Sequence, residues 1–574
     1  MNPLLSDAFV DFLLYDVVDV DALCALPAFE GHSRETVAPW LAACRRVGRE
    51  VLFPTYRAID AEPPRFVDGR VLLHRDFHAA WKELVALDVI SAVRQLPLTV
   101  TTLSNAYFMA GNLSVYGLAG LTAGAAHLIS AFGSDEVKAL FLEKMEAGTW
   151  TGTMALTEPQ AGSSLADVTT RATPLENGRY SLRGSKIFIS GGDQDVTDNI
   201  VHLVLARIDG APAGTKGISL FAVPKRRTDG AVNDVSVSGV IHKIGWRGLP
   251  SLALNFGEDG GCEGWLVGPA HQGLRCMFQM MNEARIMVGV NAASTASVAF
   301  HEALAYAKDR KQGRAIGNSD VTAPQPSLSA HADVRRMLLR QKAIVEGSFG
   351  LLAITARYAD LAAHATDDDT RARSKLLLDL LTPIAKTFPA EKGFEANALA
   401  VQVHGGYGYS SEYLVEAWLR DQKLNSIHEG TTTIQGLDLL GRKVVAGGGA
   451  ALMALVETME ADFVKSSLDV TGLRTAVQQA AEVTATLGAR GAEGDVEAML
   501  GHSADFMDAL SSIVIAWVHV KLVNALGARD DQFARGLASA ARYWLATEVP
   551  LATAKLALCV GGERSYLDVA PEWL

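Results

Sequence analysis

The chain has 574 residues, of which 49% are hydrophobic and 20% charged, so it can build large cores and wholesale disorder is excluded. Acidic residues (64) outnumber basic residues (52), and the formal net charge of −12 disfavours a nucleic-acid-binding protein. Five widely separated cysteines argue against a disulfide framework or a zinc site, predict no metal centre and fit a reducing cytosol.

The first quarter of the chain is predicted to be mostly helical. Its start carries Asp7, Asp11 and Asp16 where a secretory signal would carry lysine or arginine, which favours a cytoplasmic protein. Ser134 is typical of a helix cap, because two acidic residues follow it. Residues 95–134 contain no charged side chain, but polar residues and glycines interrupt the run, so we predict buried helices and no membrane insertion.

From Thr149 the hydrophobic pattern changes to a period of two. Several short segments up to residue 258 alternate in this way, and the sequence Glu-Asn-Gly-Arg at 176–179 is typical of a hairpin turn. A helical period returns at Gly273 and predicts a long helix to about Arg310, then helices over 330–365, 372–403 and 431–446. Three glycines at 447–449 predict a linker to a last, alanine-rich helical region.

These patterns together predict an α+β protein that is mainly α. We divide it into an N-terminal extension with a helical domain (1–150), a β domain (151–270), a helical bundle (271–446) and a C-terminal helical extension (450–574).

Four segments carry candidate chemistry. The loop at 154–172 offers backbone N–H groups and hydroxyls to a polar ring or a phosphate, and Phe188 is placed to stack on a planar cofactor. Arg310 and Gln312 end the long helix and could reach a pyrophosphate, while Glu429 lies at a helix junction. Taken alone, each is better explained by ordinary structure: a turn, a core phenylalanine, a solvated helix end and a helix-capping acid.

In this order and spacing, the four segments resemble those of the acyl-CoA dehydrogenase family. MALTEPQAGS resembles its flavin loop, KIFIS its flavin-stacking strand, ARIMVGVNAAS and KDRKQGR its central helix, and QVHGGYGY with IHEGTTTIQ its cofactor and base segment. MMNEARIMVG and EGTTTIQGLDLLGRK are similar to a larger-chain subgroup, the 3-methylmercaptopropionyl-CoA dehydrogenase branch. The resemblance implies an N-terminal helical domain, a middle β-barrel or sandwich domain, a C-terminal four-helix bundle and an extra C-terminal helical domain.

The resemblance implies FAD as the cofactor, shared across the interface of a homo-oligomer. The implied contacts to the flavin and its own-subunit side are Leu156, Thr157, Gly162, Ser163, Phe188, Ser190, Thr431 and Thr433. The implied contacts to the FAD of a neighbouring subunit are Arg310, Gln312, Gln402, Gly405 and Gly406. Because the C-terminal extension can cover the face on which other members pair their dimers, we expect a homodimer.

The implied reaction is α,β-dehydrogenation of an acyl-CoA thioester to a trans-2-enoyl-CoA. Glu429 matches the base that removes the α proton, and FAD takes the β hydride before an electron-transfer flavoprotein removes the electrons. Arg285, Ser163 and Gly430 match substrate-side positions. We expect a short or medium acyl group, with sulfur-bearing and branched chains among the candidates, and a place in fatty acid metabolism.

Some positions depart from the family pattern, and other functions stay open at this stage. His428 stands where many members have tyrosine, and Ser164 where aspartate is usual. The alternatives are an acyl-CoA oxidase that uses dioxygen, a DNA-damage-response flavoprotein and a non-catalytic flavin-binding member. The acidic residues of 450–574 weaken the case for DNA binding.

Overall fold

The structure, a computed structural model, describes residues 2–574, with side chains assigned at 2–277 and 283–574. The chain forms two compact units. Unit 1 contains Met1–Val37, Leu98–Ala106 and Arg285–Leu574, and unit 2 contains Ala38–Pro97 and Tyr107–Ala284. Three helices, Arg34–Arg46, Leu98–Phe132 and Gly273–Asp309, pass from one unit into the other, so each unit is built from segments that are distant in the sequence.

The described chain is mainly helical. Its α-helices are α1 Asp7–Phe12, α2 Val20–Cys24, α3 Arg34–Arg46, α4 Phe53–Ala61, α5 Arg75–Ala86, α6 Val89–Gln95, α7 Leu98–Phe132, α8 Asp135–Glu146, α9 Gly273–Asp309, α10 Ala332–His364, α11 Asp368–His404, α12 Val415–Gln422, α13 Thr432–Asp438, α14 Ala450–Phe463, α15 Thr471–Ala492, α16 Val496–Leu500, α17 Ser503–Ala525, α18 Gln532–Val560 and α19 Ser565–Asp568. The predicted helix over 431–446 is shorter than expected, because its α-helical part ends at Asp438 and a wider turn follows over Leu439–Lys443.

The strands lie in unit 2. They are β1 Arg65–Val67, β2 Arg70–Leu72, β3 Trp150–Ala155, β4 Arg171–Pro174, β5 Tyr180–Ser190, β6 Asn199–Ile208, β7 Ile218–Pro224, β8 Val235–Val240, β9 Ser251–Phe256 and β10 Glu263–Val267. β1 and β2 form a separate hairpin inside the region predicted to be mostly helical. In the large sheet β10 pairs with both β7 and β5, and the pairings β7–β6, β6–β4 and β4–β5 complete a closed ring of five strands. Closure removes free edges, as in a barrel.

The core of unit 2 lies where helices cover this barrel. Ile129 of α7 and Phe141 of α8 are fully buried with Leu203 of β6 and Leu220 of β7. Strand β6 is buried at its first eight residues, which explains why its sequence is almost continuously apolar. The loops at the ends of β3 and β5 are therefore held by a rigid support.

The core of unit 1 is a helical bundle that includes the C-terminal region. Phe388 of α11 packs edge-on against Trp544 of α18 at 5.6 Å, and Trp517 of α17 is fully buried. A Cβ atom at Gly347 of α10 would lie 2.7 Å from Ile515 of α17, so the two helices approach closely at this glycine. The C-terminal helices thus complete the core of the bundle.

Two helices of the described residues are long and apolar enough to cross a membrane by length and composition alone, Leu98–Phe132 and Val496–Ala525. A bent pair, Thr432–Lys443 with Ala446–Phe463, would add a third span. Within the fold, 56% and 83% of the most apolar windows of the two single helices are buried.

Asn112 leaves helical geometry inside α7, at φ −157° and ψ 96°, and its amide donates to Thr55 Oγ1.

Candidate active site

The loop that follows β3 in unit 2 is held by a buried ion pair. Lys186 and Glu158 are 0% and 2% exposed, and Lys186 Nζ lies 2.9 Å from Glu158 Oε1. The same ammonium donates to the carbonyl of Leu156 at 2.9 Å, and the Ile187 N–H donates to the carbonyl of Thr157 at 3.0 Å. The predicted residues Leu156 and Thr157 are therefore fixed beside strand β5.

Further donors satisfy the carboxylate of this ion pair. Glu158 accepts hydrogen bonds from the N–H and hydroxyl groups of both Thr169 and Thr170, at 2.5–3.0 Å. Desolvation acts to raise the pKa of Glu158, but Lys186 and these donors outweigh it and hold the pKa at about 2. Desolvation lowers the pKa of Lys186 to about 8 against the attraction of Glu158, so the pair is charged at neutral pH.

Strand β5 presents Phe188 to solvent in a strained conformation. The strand register shifts between Lys186 and Ile189, and Phe188 has φ 61° and an exposed fraction of 61%. A bulge re-aims a side chain, and an aromatic residue at positive φ is rare, so this ring is held out of the core by the strand itself. An exposed flat ring beside a fixed polar loop fits a planar cofactor such as a flavin.

The rest of the predicted unit 2 site lies along the same two segments. Ser163 is exposed, and an added Cβ atom at Gly162 would have no neighbour within 4 Å, so the loop leaves open space at this position. Ser190 is half-buried at the end of β5. Ser164, the departure from the family pattern, donates through its hydroxyl to Asp167 Oδ2 at 2.6 Å.

In unit 1, Glu429 lies in a tight turn between α12 and α13. Glu429 has φ 54° and Gly430 has φ 88°, so two consecutive residues occupy the left-handed region, which is unfavourable for a residue with a side chain. Among the described residues, the Glu429 N–H has no hydrogen-bond acceptor. This N–H is therefore available to a ligand oxygen.

The Glu429 side chain is exposed on the single chain, although the protein groups around its carboxyl still desolvate it in part. Desolvation raises the pKa of Glu429 above its ordinary value, while Arg285 and Lys386 oppose the rise. A carboxylate in such surroundings is a stronger base than one in water, because its charged form is poorly solvated. Burial, with a smaller effect of Lys386, lowers the pKa of His428 to about 3, so the imidazole is neutral at pH 7.

Arg285, predicted on the substrate side, is bound to α13. Its Nη1 donates to Asp438 Oδ2 at 3.1 Å, and the two side chains are 10% and 11% exposed. Its buried Nε has no hydrogen-bond partner among the described residues. Thr431 caps α13 by accepting from the Ile434 N–H at 3.3 Å.

The residues predicted for the neighbouring subunit's cofactor lie on the surface of unit 1. Arg310, Gln312, Gln402, Gly405 and Gly406 are all exposed, as is Thr433. Stacking of Tyr306 on His404, with ring centroids 4.3 Å apart, joins the end of α9 to the end of α11. Added Cβ atoms at Gly405 and Gly406 would meet nothing within 4 Å, so a ligand can approach the backbone there.

Sequence reasoning missed the side chains that support these residues. Neither Lys386 nor Lys186 was assigned a role from the sequence, yet both are 0% exposed. Glu158 lies within the loop motif and Gln435 within the base segment, but neither was assigned a role. The only signal was lysine inside apolar runs, as in IAKTF and KIFIS.

Comparison with known proteins identifies the family. Residues 153–258 match the middle domain of acyl-CoA dehydrogenases, residues 271–444 their C-terminal domain, and residues 452–570 a domain described as acetyl-CoA dehydrogenase C-terminal like. These matches confirm the predicted fold class, in which a middle β domain is followed by a helical domain and an extra C-terminal domain.

Two relatives cover most of the chain. The chain is 38% identical to 3-methylmercaptopropionyl-CoA dehydrogenase of Ruegeria pomeroyi, over 78% of each chain. It is 32% identical to the broad-specificity linear acyl-CoA dehydrogenase FadE5 of Mycobacterium tuberculosis, over 94% of this chain and 95% of the relative.

A solved structure has the same fold. The acyl-CoA dehydrogenase of Bacillus anthracis complexed with FAD superposes with a TM-score of 0.75 at 19% identity, over 98% of this chain and 94% of that chain. The predicted resemblance is confirmed. The chain belongs to the acyl-CoA dehydrogenase family, a family of FAD-dependent oxidoreductases that act on acyl-CoA thioesters.

Proposed function

We propose that this enzyme converts an acyl-CoA to its trans-2-enoyl-CoA with Glu429 as the base. The observation that carries this proposal is the turn at Glu429. It combines a carboxyl group of raised pKa, an N–H without a described acceptor, and two cations in the surroundings, Arg285 and Lys386. Base and oxyanion donor are the two groups that α-proton removal from a thioester requires.

The residues of the turn act on the thioester in two ways. The Glu429 carboxylate takes the α proton, and the Glu429 N–H donates to the thioester carbonyl, whose oxygen gains negative charge as the proton leaves. Lys386 and Arg285 add positive potential around the developing enolate. The neutral His428 adds no charge to this site at pH 7.

The flavin residues of unit 2 supply binding and orientation. Phe188 offers its exposed ring, and the loop from Leu156 to Ser163 offers fixed backbone groups to the isoalloxazine ring and the pyrophosphate. When bound there, FAD would accept the β hydrogen as a hydride. We further propose that the electrons leave through an electron-transfer flavoprotein.

We propose a homodimer in which each subunit completes the cofactor site of the other. Support comes from Arg310, Gln402 and Gly405, which are exposed on the single chain, and from Tyr409, which is 93% exposed next to them in the sequence. Large aromatic side chains of this kind are typical of interfaces. Light scattering should give the mass of two chains, and a mass of one or four would contradict the proposal.

The substrate and the base are tested in one experiment. Holoenzyme is mixed anaerobically with butyryl-CoA, octanoyl-CoA and 3-methylmercaptopropionyl-CoA, and the flavin absorbance is followed. We expect at least one thioester to bleach the flavin. Glu429→Gln should lower the bleaching rate by about 10²–10⁴-fold while FAD stays bound, since general-base catalysis contributes a factor of this size. Bleaching that persists at the parental rate in Glu429→Gln would refute the assignment of the base.

A further inference from the structure

Glu429 and Gly430 need external support. Both residues have positive φ, and only Gly430 is free of the steric penalty that a Cβ atom imposes there. A turn of this kind persists only when the surrounding structure fixes it. Two hydrogen bonds to its carbonyl groups do so.

The two donors come from different parts of unit 1. Gln435 Nε2 donates to the Glu429 carbonyl at 3.0 Å, and Gln435 belongs to the helix that directly follows the turn. Lys386 Nζ donates to the Gly430 carbonyl at 2.8 Å, from α11 and 44 residues away in the sequence. Gln435 and Lys386 are both 0% exposed. The bond from Lys386 is therefore the one that ties the turn to the bundle core.

Lys386 is an unusual choice for this task. Its neighbours on α11, Ile384, Ala385 and Phe388, are at most 2% exposed, so the ammonium group is carried by an apolar stretch of helix. Burial of a cation is unfavourable, and lysine is rarely buried without a specific partner. A neutral donor such as glutamine would bind the carbonyl at lower desolvation cost, which indicates that the charge itself is needed.

We propose that Lys386 is a positioning residue of the dehydrogenation, which holds the Glu429–Gly430 turn in shape and brings a positive charge to the surroundings of the Glu429 carboxyl. The inference rests on the proposed role of Glu429 as the base. The ammonium acts on the base through the backbone and through its charge, and it contacts neither the substrate nor the flavin in this role.

Other charged groups around the turn must be included in the argument. The charge of Arg285 also lowers the pKa of Glu429. Arg285, however, already has a carboxylate partner, because its Nη1 donates to Asp438 Oδ2. Desolvation lowers the pKa of Lys386 to about 8, while Glu391 and Glu429 act in the opposite direction, so the ammonium is mostly protonated at pH 7. Thr432 donates to Glu391, and His428 is neutral. Lys386 is thus the cation near Glu429 that has no carboxylate hydrogen-bonded to it among the described residues.

The test is the pH dependence of flavin bleaching by butyryl-CoA, octanoyl-CoA and 3-methylmercaptopropionyl-CoA, measured in parallel with holoenzyme. In Lys386→Met the charge and the hydrogen bond are both lost. We expect the rate on its pH plateau to fall by about 10- to 100-fold, because small displacements of a reacting group are costly. The acid limb should move upward by about one pH unit, since a neighbouring cation lowers a carboxyl pKa by roughly 1–3 units.

Lys392→Met is the matched control. Lys392 lies on the same helix, is partly buried, and binds Asp508 Oδ1 at 3.1 Å, away from the base segment. Its removal should leave both the plateau rate and the acid limb within experimental error of the parent. A purely structural role of lysines on α11 would affect the two variants alike and would not move the acid limb.

The outcomes separate this inference from the proposed function. If no thioester bleaches the parent, or if Glu429→Gln bleaches normally, the proposed function fails. If the parent depends on Glu429 but Lys386→Met keeps the parental rate and acid limb, only the role of Lys386 fails. Should Lys386→Met not fold, Lys386→Gln decides by the same shift of the acid limb. Failure of both variants to fold would also overturn the inference, because it would assign Lys386 to stability.

Discussion

The buried pair Lys186–Glu158 gives a prediction whose size follows from the geometry. Lys186→Met removes an ammonium that is 0% exposed, leaves Glu158 without its counter-ion, and deprives the Leu156 carbonyl of its donor. Breaking a buried ion pair on one side costs about 3–5 kcal/mol. Four hydrogen bonds from Thr169 and Thr170 still satisfy the carboxylate, so we expect about 3 kcal/mol, at the lower end of that range.

The assay is urea unfolding together with FAD affinity measured by flavin fluorescence. Because Lys186 also fixes the loop that contains Leu156, we expect FAD to bind about tenfold more weakly, equivalent to about 1.4 kcal/mol. The double variant Lys186→Met/Glu158→Gln should regain part of the lost stability, since it no longer buries an uncompensated charge.

Arg474→Met is the control for this experiment. Arg474 and Glu460 form an ion pair at 2.7 Å, but their side chains are 44% and 51% exposed. An exposed pair contributes about 0–1 kcal/mol, so its loss should be small. The reasoning is refuted if Lys186→Met unfolds within about 1 kcal/mol of the parent and binds FAD normally, since the pair would then support neither the unit nor the loop.

Three further predictions concern single side chains. Gly430→Ala places a Cβ atom 2.6 Å from Gln435 Nε2, at a residue with φ 88°. Flavin bleaching by octanoyl-CoA, measured by stopped flow, should therefore slow at least about tenfold while the FAD content stays unchanged. Bleaching at the parental rate would show that the turn is not constrained. Phe188→Ala removes a ring that is 61% exposed and should weaken FAD binding about 3- to 10-fold by fluorescence titration; unchanged affinity would exclude stacking. Desolvation lowers the pKa of His519 from its ordinary 6.5 to about 4. As the pH falls, the unfolded state therefore binds a proton at this histidine before the folded state does. The free energy of unfolding should fall by about 3 kcal/mol between pH 6.5 and pH 4. His519→Gln should flatten this part of the stability profile in urea unfolding, and an unchanged profile would assign the acid sensitivity to other groups.

The long helices could be predicted from the sequence because their apolar period is regular. The helix expected from about residue 274 to 310 is Gly273–Asp309, and the one expected over 330–365 is Ala332–His364. The wider turn after Asp438 escaped prediction because helical periodicity does not distinguish an α-helix from a looser one. The hairpin at Arg65–Leu72 has only three residues in each strand, too few to establish a period.

The candidate site could be predicted only in part, for a related reason. Glu429 and Phe188 lie within recognisable motifs, so their local sequence is enough to propose roles for them. Lys386 matters because it reaches Gly430, and no local pattern links residues that are 44 positions apart. The strain at Glu429 and Phe188 was likewise invisible, because a non-glycine residue at positive φ is imposed by tertiary structure.

The N-terminal segment belongs to unit 1, and this has a consequence for biosynthesis. Asn2 donates through its amide to the Val298 carbonyl and to Glu302, and Ser297 donates to the Leu4 carbonyl. At about 5–20 residues per second, a ribosome needs about 15 to 60 s to produce these partners after it has made Asn2. During that time Leu4 and Leu5, which are buried in the finished fold, lack the partners that cover them, so this segment of the nascent chain is a natural client for chaperones.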